Sequence, residues 1–444
     1  MAHVSNPALP AAADSLEILR RRLLVDGFNV VMDLEASRGC YLRDALTGQS
    51  FLDFYSFFAS QPVSYHHPGL DDPTFRQRLL SAALTKVANS DVYTALYAAF
   101  VRTFDEVAGL PGFVHYFFID GGALAIENAL KAAFDWKVRK NLAAGRGERG
   151  HQVIHFRRAF HGRTGYTLSL TDTADPRKTM YFPKFDWPRV TCPAIDFALP
   201  EAERTRTVAA LEARALDEIG RVVAERGPDL AALIIEPIQG EGGDNHFRPE
   251  FLQALRRVCD EHDLLLIFDE VQTGLGLTGS MWCTQQMGVL PDILAFGKKA
   301  QICGIMATAR VDEVDSVFKV PSRINSTWGG NLADMVRATR YLEIIRDDHL
   351  VENAAAMGRC LLDGLHELAR RHPQVSAVRG RGLMCAFDLA TPEQRDALRR
   401  ACYERQMLVL ACGERSIRFR PMLDVQREHI DTGLKILDAA LASL

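Results

Sequence analysis

The chain has 444 residues, 48% of them hydrophobic and 24% charged, with a formal net charge of −4. That length exceeds what one core usually serves, so two or more lobes are expected, and the charge gives no reason for nucleic-acid or anionic-membrane binding. Nine scattered Cys without a C-x-x-C pair, no apolar run near the ~20 residues of a membrane span, and a start (MAHVSNPALPAAADS) without a basic segment followed by an apolar one indicate a reduced, cytoplasmic chain with no disulfide framework, metal site or secretory signal.

Residues 1–13 read as a loose arm. Asp14 with Glu17 resembles a capping box opening a helix through ILRRRLLV, which stops at Asp26–Gly27. NVVMDLEA and CYLRDALTGQSFLDF alternate and carry a turn at Thr47–Gly48, which predicts short antiparallel strands. From about 75 to 330, strands at 114–120, 152–156, 230–237, 264–270 and 292–297 alternate with helices such as 125–139, 201–225 and 250–261. The alternation predicts an α/β domain around a mainly parallel sheet. After Asn331 a long helical pattern runs to about 371, followed by RGRGLMCAFDL, a helix, MLVLAC, SIRFRPML and a terminal helix. The expected division is therefore 1–74 (arm and part of a small domain), 75–331 (large domain) and 332–444 (the rest of an α+β small domain built from both chain ends).

Leu264 to Phe268 is a charge-free run of strand length, as expected of a strand buried on both faces of a parallel sheet. It ends on Asp269 and Glu270, where such a sheet delivers its ligand site. A second apolar segment, Ile293 to Phe296, delivers Gly297 and Lys298. A buried Asp and a Lys at two such ends suit pyridoxal phosphate: the Asp keeps the pyridine nitrogen protonated and the Lys forms a Schiff base. A plain strand cap and a solvated Lys298–Lys299 pair fit the same residues.

Other segments bear on the same chemistry. Gly121–Gly122–Ala123 is a small-residue strand-to-helix turn, suited to an anion such as a phosphate or simply a tight turn. Phe160 could lie on a cofactor ring and Arg163 could hold a carboxylate, or they are a core aromatic and a surface ion-pair residue. Glu241 sits in the glycine-rich loop 239–243 after Glu236–Pro237, where the glycines permit unusual backbone angles that could bring it to a partner. Gln272, three residues past Asp269, could bond a ring hydroxyl. Asn325 to Gly330 is a short polar loop suited to phosphate or substrate. Arg418 and Arg420 share one side of SIRFRPML, one functional and one merely solvated. His66, His67, His155 and His161 lack metal-ligand context and read as turn or packing residues.

Together, IFDEVQTG, PDILAFGK, EPIQGEGG and NSTWGGN at these spacings resemble the class III pyridoxal-phosphate aminotransferases of fold type I, over a stretch from about residue 40 (YLRDALTGQSFLDF, then SYHHPGL) to RFRPML. The family generally shows a Ser–Gly–Ser/Thr–Glu–Ala phosphate cup and an Arg in the turn after the Asp strand. Here the cup reads Gly121-Gly122-Ala123-Leu124-Ala125 and Leu277 takes the place of that Arg. Those departures, with FPKFDWPR and RGLMCAFDL, are similar to the lysine 6-aminotransferase branch. The resemblance implies a seven-stranded, mainly parallel large-domain sheet and a homodimer with shared active sites, using L-lysine and 2-oxoglutarate/L-glutamate. It implies Lys298 as the Schiff-base lysine, Asp269 as the ring-nitrogen partner, Gln272 at the ring hydroxyl and Phe160 stacked on the ring. Gly122 and Ala123 would bind phosphate with Thr327 of the other subunit. Arg418 would grip the α-carboxylate of 2-oxoglutarate, and Glu241 would be a switch pairing with Arg418 when lysine presents its ε-amine. Arg163 would take the remote carboxylate, with Asn325 nearby. Phe58 in FASQPVSYHHP would narrow the pocket.

Overall fold

The computed structural model describes residues 9–444; residues 1–8 of the arm lie outside the described residues. At its centre is the Leu265–Asp269 strand, buried at every position and flanked in parallel by Leu230–Ile235 and Ile293–Phe296. Side chains alternate across a strand, and two cores receive them. Leu265 and Ile267 pack with Ile126, Ala129 and Trp136 of the Gly122–Ala143 helix. Leu266 and Phe268 pack with Ile219 of the Glu201–Arg226 helix and with Phe251 and Leu255 of the Pro249–Glu261 helix. Having no polar face, the strand is held only between two helical layers.

The full sheet has seven strands. Ile293–Phe296, Leu265–Asp269, Leu230–Ile235, Gln152–Phe156 and Arg189–Val190 run parallel, and Cys303–Thr308 lies antiparallel between Ile293–Phe296 and Phe113–Ile119. Two of these strands carry no usable sequence signal. Arg189–Val190 is too short to show a period, and Cys303–Thr308 is diluted by small residues. One of those is required: a Cβ on Gly304 would stand 2.2 Å from the Phe117 carbonyl oxygen of the neighbouring strand.

The ends of the chain meet in a second sheet. Met32–Arg38, Tyr41–Asp44 and Ser50–Asp53 are antiparallel, and Met407–Leu408 adds in parallel to Ser50–Asp53. A third, antiparallel sheet joins Ser376–Arg381, Met384–Asp388, Ser416–Phe419 and Leu410–Cys412. Two helical expectations need correction. The first helix spans only Ala12–Arg20, with Asp14 in its first turn and no side-chain cap. Leu23 and Leu24 are 59% and 87% exposed, so no core contact carries the helix through them. The long pattern after Asn331 is two helices, Leu332–Asp347 and Leu350–Arg371, broken where His349 takes a φ of 52°. No described helix is long and apolar enough to cross a membrane.

Gly304→Ala should destabilise the fold by about 1–3 kcal/mol, since the sheet must part to admit a methyl group. Denaturant unfolding of the variant against the unmodified protein checks this.

Candidate active site

Asp269 ends its strand on the face shared with Leu265 and Ile267, toward the helix that begins at Gly122. The neighbouring strand ends at Phe296, and Gly297 leads to Lys298. Both residues open onto one cavity of about 600 Å³. Gly122, Ala123, Phe160 and Val271 line it with them, and Arg163 and Gln272 complete its polar wall. Five of the expected site residues (Gly122, Ala123, Phe160, Arg163 and Gln272) are therefore together with Asp269 and Lys298 in one place, whereas Glu241 and Arg418 are not among the lining residues. Nor are Asn325 and Thr327: both are exposed on a loop outside this cavity, where the Thr327 carbonyl accepts from Ser90 Oγ at 3.3 Å.

The Gly122–Ala143 helix points its N-terminus into the cavity. Its capping position, Gly121, has φ 98° and supplies no side-chain oxygen, so the first N–H groups remain available to an anion. Space here is tight. A Cβ on Gly162 would sit 2.6 Å from the Ala123 Cβ, and one on Gly122 would sit 3.0 Å from Val271.

Asp269 is buried and doubly held. Its Oδ1 accepts from the Val271 N–H at 3.1 Å, and its Oδ2 meets His161 Nδ1 at 2.8 Å. His161 is fully enclosed and its Nε2 has no partner. Reading His161 as a mere packing residue is thus corrected: its ring orients the carboxylate. The only sequence signal was its place beside Phe160, after a strand of the same sheet. Glu236 completes the cluster, accepting from the N–H groups of Phe160 at 2.9 Å and Gly240 at 3.0 Å. Burial, countered by His161 and reinforced by Asp269, pushes its carboxyl up to about 7. It fastens the loop bearing Phe160 to the glycine loop bearing Glu241.

The Lys298 ammonium donates to the Phe58 carbonyl at 3.1 Å. Burial, with Arg418 and Arg420 nearby, lowers its pKa to about 8. Lys299 is not a solvated twin. It is buried, donates to the Gln61 carbonyl at 2.9 Å, and burial lowers it to about 7. Gln301 Nε2 donates to the Ser60 carbonyl at 2.8 Å. These three donors hold the segment from Ser56 to Gln61, in which Ser56, Phe57, Phe58 and Ala59 all have left-handed φ, between 40° and 71°. Phe58 is 52% exposed and does not line the cavity.

Three other expectations change. Neither arginine of SIRFRPML is solvated: Arg418 is 5% exposed and Arg420 fully buried. Arg420 pairs with buried Asp244 at 2.5 Å, because a guanidinium at this depth requires a counter-ion. Gln272 Oε1 accepts from Arg418 at 3.1 Å and from Arg420 at 3.0 Å, which leaves its NH2 as the donor for a ligand. Glu241 does not pair with Arg418 here. Its Oε1 accepts from Thr173 Oγ1 at 2.8 Å and from the Lys178 ammonium. Nor do its flanking glycines confer mobility. A Cβ on Gly242 would stand 2.0 Å from the Arg158 carbonyl oxygen and one on Gly240 2.4 Å from Gln272, so these are close-approach positions in a packed loop.

An amine tuned toward neutrality, a buried carboxylate braced by imidazole, and a helix N-terminus around one cavity suit carbonyl chemistry on a ring bearing an anionic group. Comparison with known proteins agrees. Residues 25–441 match the family described as Aminotransferase class-III. L-lysine-epsilon aminotransferase of Amycolatopsis lactamdurans is 52% identical over 442 residues, spanning 98% of this chain and 97% of its own length. The protein of that name from Mycobacterium tuberculosis (strain ATCC 25618 / H37Rv) is 54% identical over 429 residues, covering 96% of this chain and 94% of its own. A solved structure of the lysine aminotransferase from M. tuberculosis superposes with a TM-score of 0.95 at 53% identity, covering 98% of this chain and 100% of that one. The chain belongs to the class III aminotransferases, and its sheet is that of the fold type I enzymes.

The lowered Lys298 pKa has a directional consequence. Only the neutral amine is nucleophilic, and burial makes it neutral at lower pH than free lysine. In protein stripped of bound cofactor, labelling of Lys298 by an amine-selective acylating reagent, followed by peptide mapping, should rise through about pH 8 and level off above it. A midpoint near ~10, the ordinary lysine value, would show an untuned amine.

Proposed function

We propose that this protein transfers the ε-amino group of L-lysine to 2-oxoglutarate, giving L-glutamate and 2-aminoadipate 6-semialdehyde, which cyclises to 1-piperideine-6-carboxylate. One observation carries the reading: Lys298 and the Asp269–His161 pair end adjacent parallel strands on one cavity, in a chain about half identical to lysine aminotransferases along nearly its whole length.

The residues present fit pyridoxal 5′-phosphate as cofactor. The uncapped helix start with Gly122 and Ala123 offers N–H groups to its phosphate, Lys298 offers an amine to its aldehyde, and Asp269 offers a fixed negative charge to its ring nitrogen. When bound, the cofactor withdraws electrons from the substrate carbon through its protonated ring. The chain's own groups do the rest. Asp269, oriented by His161, keeps the ring-nitrogen proton in place. Phe160, which lines the cavity, would lie against the ring, and the Gln272 NH2 would donate to its hydroxyl. Lys298 Nζ, neutral in part near physiological pH, would serve as the base that takes the proton from the substrate's ε-carbon and as the acid that gives it back.

Substrate selection falls to Arg163, exposed at the cavity's edge, and to Arg418, whose Nε lacks a partner. Arg163 binds lysine's remote carboxylate, and Arg418 binds the α-carboxylate of 2-oxoglutarate. Glu241 covers Arg418 during the lysine half-reaction and leaves it for the dicarboxylate. Because the Gly240–Gly242 backbone is packed, that exchange is a rotation of the Glu241 side chain. The working unit is a cytoplasmic homodimer in which Thr327 of one subunit completes the phosphate site of the other. The chain divides functionally into 75–331, which carries the cofactor, and the small domain of both ends, 1–74 and 332–444.

Assaying L-lysine, L-ornithine and 4-aminobutyrate as donors to 2-oxoglutarate tests the assignment. L-Lysine should give the highest kcat/KM and a product trapped by an aldehyde reagent; a clear preference for L-ornithine or 4-aminobutyrate would replace this substrate with another ω-amine. Asp269→Asn should keep the fold but lower kcat by on the order of 10²–10³, as loss of one fixed charge at a reacting centre does. Near-normal turnover in that variant would mean that the ring proton is held otherwise.

A further inference from the structure

Glu241 is seated against a cation that the reaction as described above does not use. The Lys178 ammonium bonds Glu241 Oε1 and also stands over the Phe160 ring, 5.9 Å from its centroid. One side chain thus touches both a cavity-lining aromatic and the switch carboxylate. Thr173 Oγ1 adds a neutral hydrogen bond to the same oxygen at 2.8 Å. Two buried atoms nearby lack any partner: Glu241 Oε2 and Arg418 Nε. Their elements are joined, because Gly413 N donates to the Glu241 carbonyl at 2.8 Å and Gly413 lies in the hairpin that pairs Leu410 with Arg418. One carboxylate therefore has two candidate cations and is seated on the lysine.

We propose that Lys178, with Thr173, is a specificity-determining seat for Glu241, drawing this carboxylate off Arg418 and leaving the guanidinium free for a dicarboxylate acceptor. The inference rests on the Glu241–Arg418 exchange proposed above. Its physical basis is competition. A guanidinium binds a carboxylate through two parallel N–H bonds, whereas an ammonium acts as a point charge. Without Lys178, Glu241 defaults to Arg418, and the acceptor-competent form becomes a minor population. Apparent affinity for the dicarboxylate then falls in proportion to that population, while the lysine half-reaction, which needs Arg418 covered, does not fall with it.

The test uses the holoenzyme, with glutarate as an unreactive dicarboxylate probe. In Lys178→Met, calorimetric titration should show glutarate binding weakened roughly tenfold. Single-turnover reaction with 2-oxoglutarate should show the same weakening in apparent affinity, and that with L-lysine should not. Lys178→Arg should restore glutarate binding, and adding Lys178→Met to Glu241→Gln should weaken it no further than Glu241→Gln alone. Unchanged glutarate affinity in Lys178→Met, or equal losses in both half-reactions, would overturn the proposal. So would a Lys178→Met effect that persists beside Glu241→Gln, which would mean that Lys178 attracts the dicarboxylate directly. If Glu241→Gln by itself leaves the lysine half-reaction unaltered, the exchange is wrong and the role of Lys178 falls with it. That outcome is read from the Glu241 variant alone, so the two failures are distinguishable.

Discussion

A strand that is apolar on both faces can meet a polar group only at its end, and the Leu265–Asp269 strand imposes that constraint on the molecule. Asp269 stands where the two helical layers stop covering the sheet, deep enough to be 5% exposed yet open to the cavity. A carboxylate at that depth needs compensation, and a backbone N–H and His161 supply it. His161 can be there because the parallel strand Gln152–Phe156 delivers the Phe160–Gly162 loop to the same sheet end. Glu236, at the end of the strand between them, ties that loop down. Three parallel strands thus hand three ionisable side chains to one point.

Cations collect behind Gln272. Arg418 and Arg420 converge on the single oxygen Gln272 Oε1, and Asp244 neutralises only Arg420. Burial holds the Lys298 amine below the ordinary lysine range, and the positive field that remains adds to it. In the proposed reaction the same field would attract carboxylate substrates, so one arrangement of charge would serve both amine reactivity and acceptor binding. It would also set the difficulty that the proposed Glu241 exchange relieves, since a cationic donor would enter the same cavity.

How far the sequence foretold this depends on where each signal lies. The strands ending in Asp269 and Lys298 were legible because an uncharged run of strand length, closed by a charge, has few other folded uses. Gly122, Ala123, Phe160, Arg163 and Gln272 followed from the family pattern and share the cavity. The partners were not legible. Lys178 meets Glu241 across 63 residues and His161 meets Asp269 across 108, distances at which no local pattern operates. Arg420 read as a surface residue because alternation in SIRFRPML marks a side and not its burial. Cys303–Thr308 escaped because Gly304 serves a neighbouring carbonyl rather than a period. Among the glycines around Glu241 only Gly243, with φ 126°, uses the backbone freedom expected of them; Gly240 and Gly242 serve close contact instead.

The Ser56–Ala59 turn puts four consecutive side-chain-bearing residues in the left-handed region, at about 1–2 kcal/mol each. Such a segment behaves as a compressed spring whose catch lies elsewhere. Here the catch is three side-chain donors, from Lys298, Lys299 and Gln301, clasping the carbonyls of Phe58, Gln61 and Ser60. Lys298, whose amine carries the chemistry in the function proposed above, is one finger of that clasp. The tension in the turn is therefore coupled to what the Lys298 amine is bonded to, and each change of bonding partner during turnover alters the load on a rim segment more than two hundred residues away in the chain.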